Sequence, residues 1–486
     1  MAYEEIPKAA LLPKPGVEFP TYTIIQADGL YPDNELEEQV FAPSPTQSYR
    51  LKYLQAYLCP PGTETAKPWS AIPEEIRSEV DGIMVLKAHF SEQDLQLFPR
   101  LKVFVRMGVG YDRVDRIALA KRGVTLCNIP DYGTGEIADH ALGLTLILRR
   151  GILLHHDRQR ANPPAPWMYI DASLIARLQQ STFGILGLGR IGTAAALRAK
   201  AFGFHVLFHD PYLSNGVDKS LGIERTKDIK ELFQRANVLS IHCPCTRETR
   251  GIIGFDLLSL LPCGAVLVNT ARGEIVDLDS VERCLKDGSL AGVGLDVLPE
   301  EPIPADRVHS LIQAYRRKED WLEGRMVLTC HSAFYSPESS LDIRVKSAET
   351  MRDVLINGLK SNIILPDIES VTDFPKYYFA YSFTMAIYHI VLFKLKPNVT
   401  AQQIAELKTV GAAMVGVIPG LLKFDCGSPL LVTAHRAKGY DLGLVAVLKK
   451  PEDITVYGDH LAHQKLHKLR EAISTDTLAY DMEFHT

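Results

Sequence analysis

Short apolar runs alternating with polar, helix-compatible stretches set the rhythm of the first part of the chain. Between Thr21 and about Asn128 the runs are TYTIIQAD, DGIMVL, LKVFVRMGVG and VTLCNI. Their spacing predicts a parallel sheet whose strands are joined by crossover helices. Glu136 to His155 (EIADHALGLTLILRRGILLH) is apolar and free of proline, which predicts one extended helix leaving this unit. After the loop ANPPAPWMY, the segment from Ser181 to Cys330 resumes the alternation with TFGILGLG, HVLFHD, NVLSIHC, GAVLVNT and AGVGLDV, the pattern of a doubly wound sheet. The charged stretch from Ile303 to Arg325, just before the short run MVLTC, predicts a surface helix or loop.

Ser332 to about Leu365 predicts helix that packs back on the first unit, making that unit discontinuous in sequence. LPDIESVTDFPKYYFAYSFT then reads as a proline-punctuated aromatic linker. From Met385 the pattern changes to a strand (YHIVLFKL), a helix capped by Thr400, a strand after Gly439 (YDLGLVAVL) and a further helix and strand ending in LAYDMEF. That is a compact α+β unit of about 100 residues. The predicted division is 18–135 with 332–365, then 136–331 inserted between them, a linker at 366–384, and 385–486. Met385-Ala386 would also serve as the start of a free-standing protein, so both a genuine fusion and two adjoining reading frames are open.

At 486 residues the chain exceeds one ordinary core, in keeping with several domains. Its 46% hydrophobic and 23% charged residues are ordinary for globular proteins, and no apolar run reaches the length of a membrane span. The start MAYEEIPKAALLPKPG lacks the apolar core of a secretory signal, so cytosol or nucleus is expected. With 53 Lys+Arg against 58 Asp+Glu, the net charge of -5 gives no electrostatic footprint for direct nucleic-acid binding. Eight cysteines are scattered, and Cys243 and Cys245 have no second pair to complete a metal site, so no metal is expected.

The first candidate chemistry is a glycine turn. Gly187, Gly189 and Gly192 in GILGLGRIG form G-x-G-x-x-G between an apolar strand and the helical TAAALRAKAF. The three glycines permit a tight turn, close approach of a pyrophosphate, and close helix–strand packing, with the anion at the positive helix end. Asp210 closes the next strand about 20 residues on, where a carboxylate accepts from both ribose hydroxyls and repels a 2′-phosphate. NAD is therefore expected over NADP.

Three further polar residues fall at the predicted carboxyl ends of strands: Arg272 in VNTARGEIVD, Glu301 in GLDVLPEEP and His331 in VLTCHSAFY. A guanidinium fork suits the carboxylate and carbonyl oxygen of a 2-keto acid. An imidazole titrates near neutrality and can exchange a proton with the C2 oxygen. A neighbouring carboxylate holds it in one tautomer.

RMGVGYDRVD, GLGRIG, VNTARG, GLDVLPEEP and CHSAFYSPES, in that order, resemble the D-isomer-specific 2-hydroxyacid dehydrogenases. LRAKAFGFHVLFHDPYLSNGV is similar to their C-terminal-binding-protein branch. The resemblance runs from about Val80 to Leu365. It implies an NAD-binding Rossmann domain inserted in a flavodoxin-like substrate domain, a homodimer, and hydride transfer between nicotinamide C4 and substrate C2. It assigns catalysis to Arg272, Glu301 and His331, and the substrate carboxylate to the amides of Gly108, Val109 and Gly110 with help from Arg106. Arg190 and Ile191 fall on the phosphate turn, His242, Pro244 and Thr249 near the nicotinamide ribose, Thr270 and Ala271 among the cofactor contacts, and Asp296 near the nicotinamide amide. Where the corepressor branch has a Trp after the catalytic His, this sequence has Phe334, an apolar wall without an indole donor. The branch also implies an alternative role, an NAD(H)-dependent dimeric scaffold that recruits transcription-factor partners.

Met385 to Thr486 resembles the stress-responsive dimeric α/β barrel, a ferredoxin-like α+β domain, through YHIVLFKLKP, IPGL, GYDLGLVAVL, VYGDHLAHQKL and DMEF. In relatives that cyclise polyketides, cavity residues would correspond to His389, Tyr457 and His463, but a further family histidine falls at Leu442. The unit is therefore expected to be a dimerisation or binding module.

Overall fold

The computed structural model describes residues 19–365, apart from 30, 32, 44–48 and 60–65, and residues 386–484, apart from 429–438 and 449–452. The expected linker at 366–384 lies outside the described residues. The chain divides into two compact units, Met1–Ser370 and Val371–Thr486.

The first unit holds two wholly parallel sheets. One has strands β1 (Thr21–Gln26), β2 (Arg50–Gln55), β3 (Gly82–Val85), β4 (Val103–Arg106) and β5 (Thr125–Asn128), in the order β2-β1-β3-β4-β5. The other contains β6 (Thr182–Leu186), β7 (His205–His209), β8 (Glu224–Arg225), β9 (Val238–Ile241), β10 (Ala265–Asn269), β11 (Leu290–Leu295) and β12 (Met326–Leu328), in the order β12-β11-β10-β9-β6-β7-β8. Each sheet reverses its winding once, between β1 and β3 in the first and between β6 and β9 in the second. Such reversals open the crevice in which α/β proteins bind ligands.

The two sheets have separate apolar cores. Ile25, Val85, Phe90, Phe98 and Phe104 centre one face of the first, and Ile24, Met84 and Val105 the other. Phe183, Ile185, Leu239, Leu267 and Val293 belong to the two cores of the second. The chain passes from the first sheet to the second after β5, and returns after β12 into the helix Pro337–Met351. That helix lays Ile343, Ala348 and Met351 on the first sheet's core. Its Arg344 pairs with Glu37 at 2.7–2.8 Å, and both side chains are buried.

Two expectations are corrected. The long helix is broken: Thr134–Arg149 ends, Gly151 adopts φ 60°, and Ile152–Arg160 starts afresh. A Cβ on Gly151 would lie 2.6 Å from Ile175, so the break sits where the chain must turn against that side chain. The stretch 303–325 is not merely surface. Helix Ser310–Arg316 buries Leu311 and Ile312 in the second core, and Arg325 donates to the carbonyls of Leu285, Leu290, Ala291 and Trp321.

The second unit is one antiparallel sheet of β13 (Ala386–Leu395), β14 (Leu421–Gly427), β15 (Leu442–Leu448) and β16 (Ser474–Phe484), ordered β14-β15-β13-β16. Leu442, Leu444, Ala446 and Leu448 alternate along β15 into a core with Phe393, Leu407 and Leu466. Helix Ala401–Ala412 begins with the Thr400–Gln403 capping box.

Candidate active site

At the carboxyl end of β6, Gly187 adopts φ 89° and lies so near the turn after β9 that a Cβ would come within 2.6–2.9 Å of Cys243 N, Cα and Cβ. A Cβ on Gly192 would run into the Gly187 carbonyl. Gly189 differs: it has φ -70°, caps helix Arg190–Ala201, and a Cβ there would meet nothing within 4 Å. The turn is thus closed against the protein and open above the helix N-terminus, where backbone N–H groups suit an anion. Arg190 and Ile191 form the first turn of that helix.

Asp210 follows β7, and its carboxylate accepts from Leu188 N (2.9 Å) and Tyr212 N (3.0 Å), which hold it beside the glycine turn. A carboxylate has acceptor capacity beyond those two bonds. Across the winding reversal, His242 donates its backbone N–H to Leu186 O at 2.8 Å, and its Nε2 pairs with Ser240 Oγ at 2.8 Å. Its Nδ1 is buried with no partner among the described residues, and burial pushes its pKa down to about 4, so the ring is neutral at physiological pH. Thr249 Oγ1 donates to Pro244 O at 2.6 Å, closing the loop after β9. After β10, Asn269 accepts from Ala271 N (3.0 Å) and donates to Arg272 O (2.8 Å), which shapes the turn that carries Thr270, Ala271 and Arg272. The Thr270 hydroxyl is buried without a partner among the described residues. An open phosphate turn, a neighbouring acid and partnerless buried polar atoms around one crevice fit a dinucleotide.

The loop after β4 brings cations together. Gly108 has φ 144°, and a Cβ there would collide with the Arg106 guanidinium; one on Gly110 would collide with that of Arg272. Both guanidinium groups therefore reach a loop that only glycine leaves accessible. Asn128 Nδ2 donates to Val109 O at 2.7 Å and fixes the loop. Arg272 donates from Nε to Asp112 Oδ1 and from Nη1 to Ala271 O, both at 2.8 Å. The Arg106 guanidinium has no hydrogen-bond or ion-pair partner among the described residues; burial and repulsion by Arg272 push its pKa down to about 10, which leaves it charged at neutrality. Burial would raise the Asp112 carboxyl, but the Arg272 charge and hydrogen bond outweigh it and hold the group below its ordinary value.

His331 Nδ1 and Glu301 Oε2 lie 2.6 Å apart. The other Glu301 oxygen accepts from Leu298 N at 2.8 Å, and Arg113 Nη2 lies 3.6 Å from Oε2. Burial works to raise the Glu301 pKa, but His331, the Leu298 amide and Arg113 together hold it below the usual range. His331 is left-handed, φ 53°, and Asp296 determines that turn: its carboxylate accepts from Thr329 Oγ1 (2.6 Å), Ser332 N (2.9 Å) and Ala333 N (3.0 Å). Asp296 thus organises the His331 turn, a task its sequence position did not suggest. Phe334 sets its ring edge-on to both His331 (6.3 Å) and Tyr132 (6.0 Å), forming the apolar wall. A Cβ on Gly273 would overlap the Leu298 carbonyl and Pro299, so the Arg272 and Glu301 turns pack backbone to backbone.

Sequence reasoning missed Tyr132, the partner roles of Asp112 and Arg113, and Asp28. The buried Asp28 carboxylate accepts from Leu86 N, Lys87 N and Ala88 N at 2.5–2.6 Å, bridging the winding reversal of the first sheet. An acid directly after a buried strand was the available signal. Among the described residues, Asp279, Glu282 and His309 form a cluster of metal-ligand type. His309 Nδ1 already accepts from Leu311 N and its Nε2 lies 3.1 Å from Asp279, so the cluster serves as a helix cap.

In the second unit, His389, Tyr457, His463, His467 and Arg470 line one hollow. Tyr457 is buried with its hydroxyl unpartnered among the described residues, and its ring lies 4.2 Å from that of His463. Burial, then His389, His467 and Arg470, lower the His463 pKa against the raising effect of the Gly458 carbonyl.

Residues 142–333 match the D-isomer specific 2-hydroxyacid dehydrogenase NAD binding domain. This part of the chain is an NAD-binding domain of that family. Residues 387–484 likewise match, and form, a stress responsive A/B barrel domain. C-terminal-binding protein 1 of Caenorhabditis elegans is 32% identical over 297 residues, 60% of this chain and 40% of that protein. D-3-phosphoglycerate dehydrogenase of Methanocaldococcus jannaschii is 32% identical over 278 residues, 55% of this chain and 48% of that protein. The chain thus spans less than half the length of these curated relatives. A solved D-lactate dehydrogenase from Aquifex aeolicus, complexed with NAD and lactic acid, superposes with a TM-score of 0.56 at 26% identity, covering 71% of this chain and 99% of the other. The matched dehydrogenase domain contains the glycine turn, Asp210, Arg272, Glu301 and His331, whereas Arg106 to Arg113 lie outside it. Among the described residues, no helix is long and apolar enough to cross a membrane.

Proposed function

We propose that the chain is an NAD-dependent oxidoreductase that interconverts a 2-keto acid and a D-2-hydroxy acid. The observation that carries this reading is the His331–Glu301 pair at 2.6 Å, in a site where Arg106 and Arg272 flank a glycine loop. Arg106, Arg113 and Arg272 exceed Asp112 and Glu301 by one positive charge, before His331 is counted, and a monoanionic substrate balances that excess. The amides of Gly108, Val109 and Gly110, with Arg106, bind the substrate carboxylate. Arg272 donates from its remaining Nη2 face to the carboxylate and C2 oxygen. His331 delivers a proton from Nε2 to that oxygen during reduction, while Glu301 holds Nδ1–H and stabilises the imidazolium. Phe334 and Tyr132 exclude water from one side. When bound, the nicotinamide supplies the hydride. Gly187, Gly189, Arg190, Ile191 and Gly192 would hold its diphosphate, and Asp210 would accept from the adenosine ribose. His242, Pro244, Thr249, Thr270, Ala271 and Asp296 would border its nicotinamide half. Two copies of the chain form the working homodimer, in the cytosol or nucleus.

Similarity to C-terminal-binding protein 1 over 297 residues favours one second reading, an NAD(H)-dependent corepressor-like scaffold with transcription-factor partners and little turnover. NADH oxidation with 2-keto acids from glyoxylate to phenylpyruvate separates the two. Turnover that collapses in His331→Ala supports the enzyme, and NADH binding without turnover supports the scaffold.

A further inference from the structure

Asp112 and Arg113 are neighbours on the loop that follows β4 of the first sheet. Arg272 and Glu301 follow β10 and β11 of the second. Asp112 pairs with Arg272 at 2.8 Å, and Arg113 with Glu301 at 3.6 Å. A negative–positive pair on one sheet's loop thus meets a positive and a negative residue from the other. A shift by one residue would set like charges face to face, so the two bridges form together and in one register.

The two sheets have separate apolar cores, and the chain crosses between them twice, after β5 and after β12. A polar boundary with two covalent crossings is the architecture in which lobes hinge about a ligand cleft. Both bridges end on residues to which the proposed chemistry assigns substrate binding and proton transfer. All four side chains are at least partly buried, so water screens the bridges less than it would surface pairs.

We propose that Asp112 and Arg113 form a crossed latch that makes assembly of the Arg272–Glu301–His331 trio conditional on lobe closure. Asp112 turns Arg272 so that its Nη2 faces the Gly110 loop. Arg113 and the Leu298 amide fix the Glu301 carboxylate for His331. Both are positioning residues, and the inference rests on the proposed hydride-transfer reading for its kinetic consequence, though not for the latch itself.

The test uses full-length protein with Arg113→Ala and Arg113→Lys. Steady-state kinetics are measured with NADH and a 2-keto acid, NADH affinity by fluorescence titration, and backbone hydrogen exchange with NADH and oxamate, an unreactive 2-oxo acid analogue. Arg113→Ala is expected to lose about 10- to 100-fold in kcat, the scale of a misplaced catalytic group, with KM and NADH affinity little changed. Arg113→Lys restores much of that loss because it returns the charge. Exchange in Arg113→Ala quickens both around 107–114 and around 298–302, on opposite sides of the cleft. A purely structural role would lower thermal stability and NADH affinity without the kcat-selective loss or the lysine rescue, and would overturn the proposal. If the wild type shows no turnover, the oxidoreductase reading fails and exchange alone decides. Paired quickening on both sides then sustains the latch, and unchanged or one-sided exchange overturns it.

Discussion

Alanine at Gly187 and at Gly189, two positions apart in one turn, should fail in opposite ways. At Gly187 the backbone has φ 89°, a region that costs an L-residue roughly 1–2 kcal/mol. The added methyl also lies 2.6–2.9 Å from three Cys243 atoms, two of them backbone. Overpacking of that kind adds about 1–3 kcal/mol, so Gly187→Ala should lose about 2–5 kcal/mol of stability even without cofactor. At Gly189, φ is -70° and the methyl meets nothing within 4 Å, so the gain of about 0.4–1 kcal/mol from a stiffer unfolded chain roughly offsets the cost of alanine at a helix N-cap, and Gly189→Ala should fold within about 1 kcal/mol of wild type. Its methyl points into the space left for the diphosphate, and NADH affinity should fall at least about tenfold, or 1.4 kcal/mol. Denaturant melts without cofactor and fluorescence titration with NADH read the two quantities separately. A Gly189→Ala protein that binds NADH like wild type would refute the placement of the dinucleotide.

Four further outcomes follow from the geometry. Gly108→Ala should displace the Arg106 guanidinium and raise KM for the 2-keto acid while NADH affinity is kept, and equal loss of both would argue against a separate carboxylate site. Because the folded Glu301 pKa is depressed, its contribution is present above the ordinary glutamate value of about 4.3 and is lost as pH falls through the lowered folded value. Glu301→Gln should therefore remove part of the acid limb of the stability–pH curve, and an unchanged limb would contradict the pairing with His331. Asp296→Ala should cost about 2–5 kcal/mol by stranding the Ser332 and Ala333 amides and the Thr329 hydroxyl, together with a drop in kcat from the loosened His331 turn. In the barrel domain, Tyr457→Phe removes a buried hydroxyl with no partner among the described residues, so stability should stay level or rise by up to about 1 kcal/mol; a comparable loss would reveal a partner for that hydroxyl.

The glycine turn was legible in the sequence because its parts act locally: a strand, three close glycines, a helix and the next strand's acid lie within one short stretch. β2 and β14 were not anticipated, since Arg50–Gln55 and Leu421–Gly427 interleave apolar residues with charged ones at sheet edges and lack the continuous apolar run of a central strand. The helix break at Gly151 was hidden in an otherwise apolar segment, because the need for a left-handed residue arises only from the contact with Ile175. The stretch 303–325 was taken for surface because its charges outnumber Leu311, Ile312 and Leu322, the residues that anchor it. Arg272, Glu301 and His331 stood out by type and position, but their partners did not. Asp112 and Arg272 are 160 residues apart in sequence, and no local pattern announces that meeting. Asp296 stood out in the sequence as an acid beside the nicotinamide, and its bonds to Thr329, Ser332 and Ala333, which shape the His331 turn, were not legible there.

The central claim is hydride transfer to C2 with proton delivery by His331, and isotope transfer tests it most directly. Wild-type protein and His331→Ala would be incubated with NADH carrying deuterium at both C4 positions and with the 2-keto acid that wild type turns over fastest, and the product analysed by mass and on a chiral column. The account predicts a D-2-hydroxy acid carrying one deuterium at C2 from wild type and essentially none from the variant. An L-product, a product without deuterium, or equal yield from His331→Ala would contradict it.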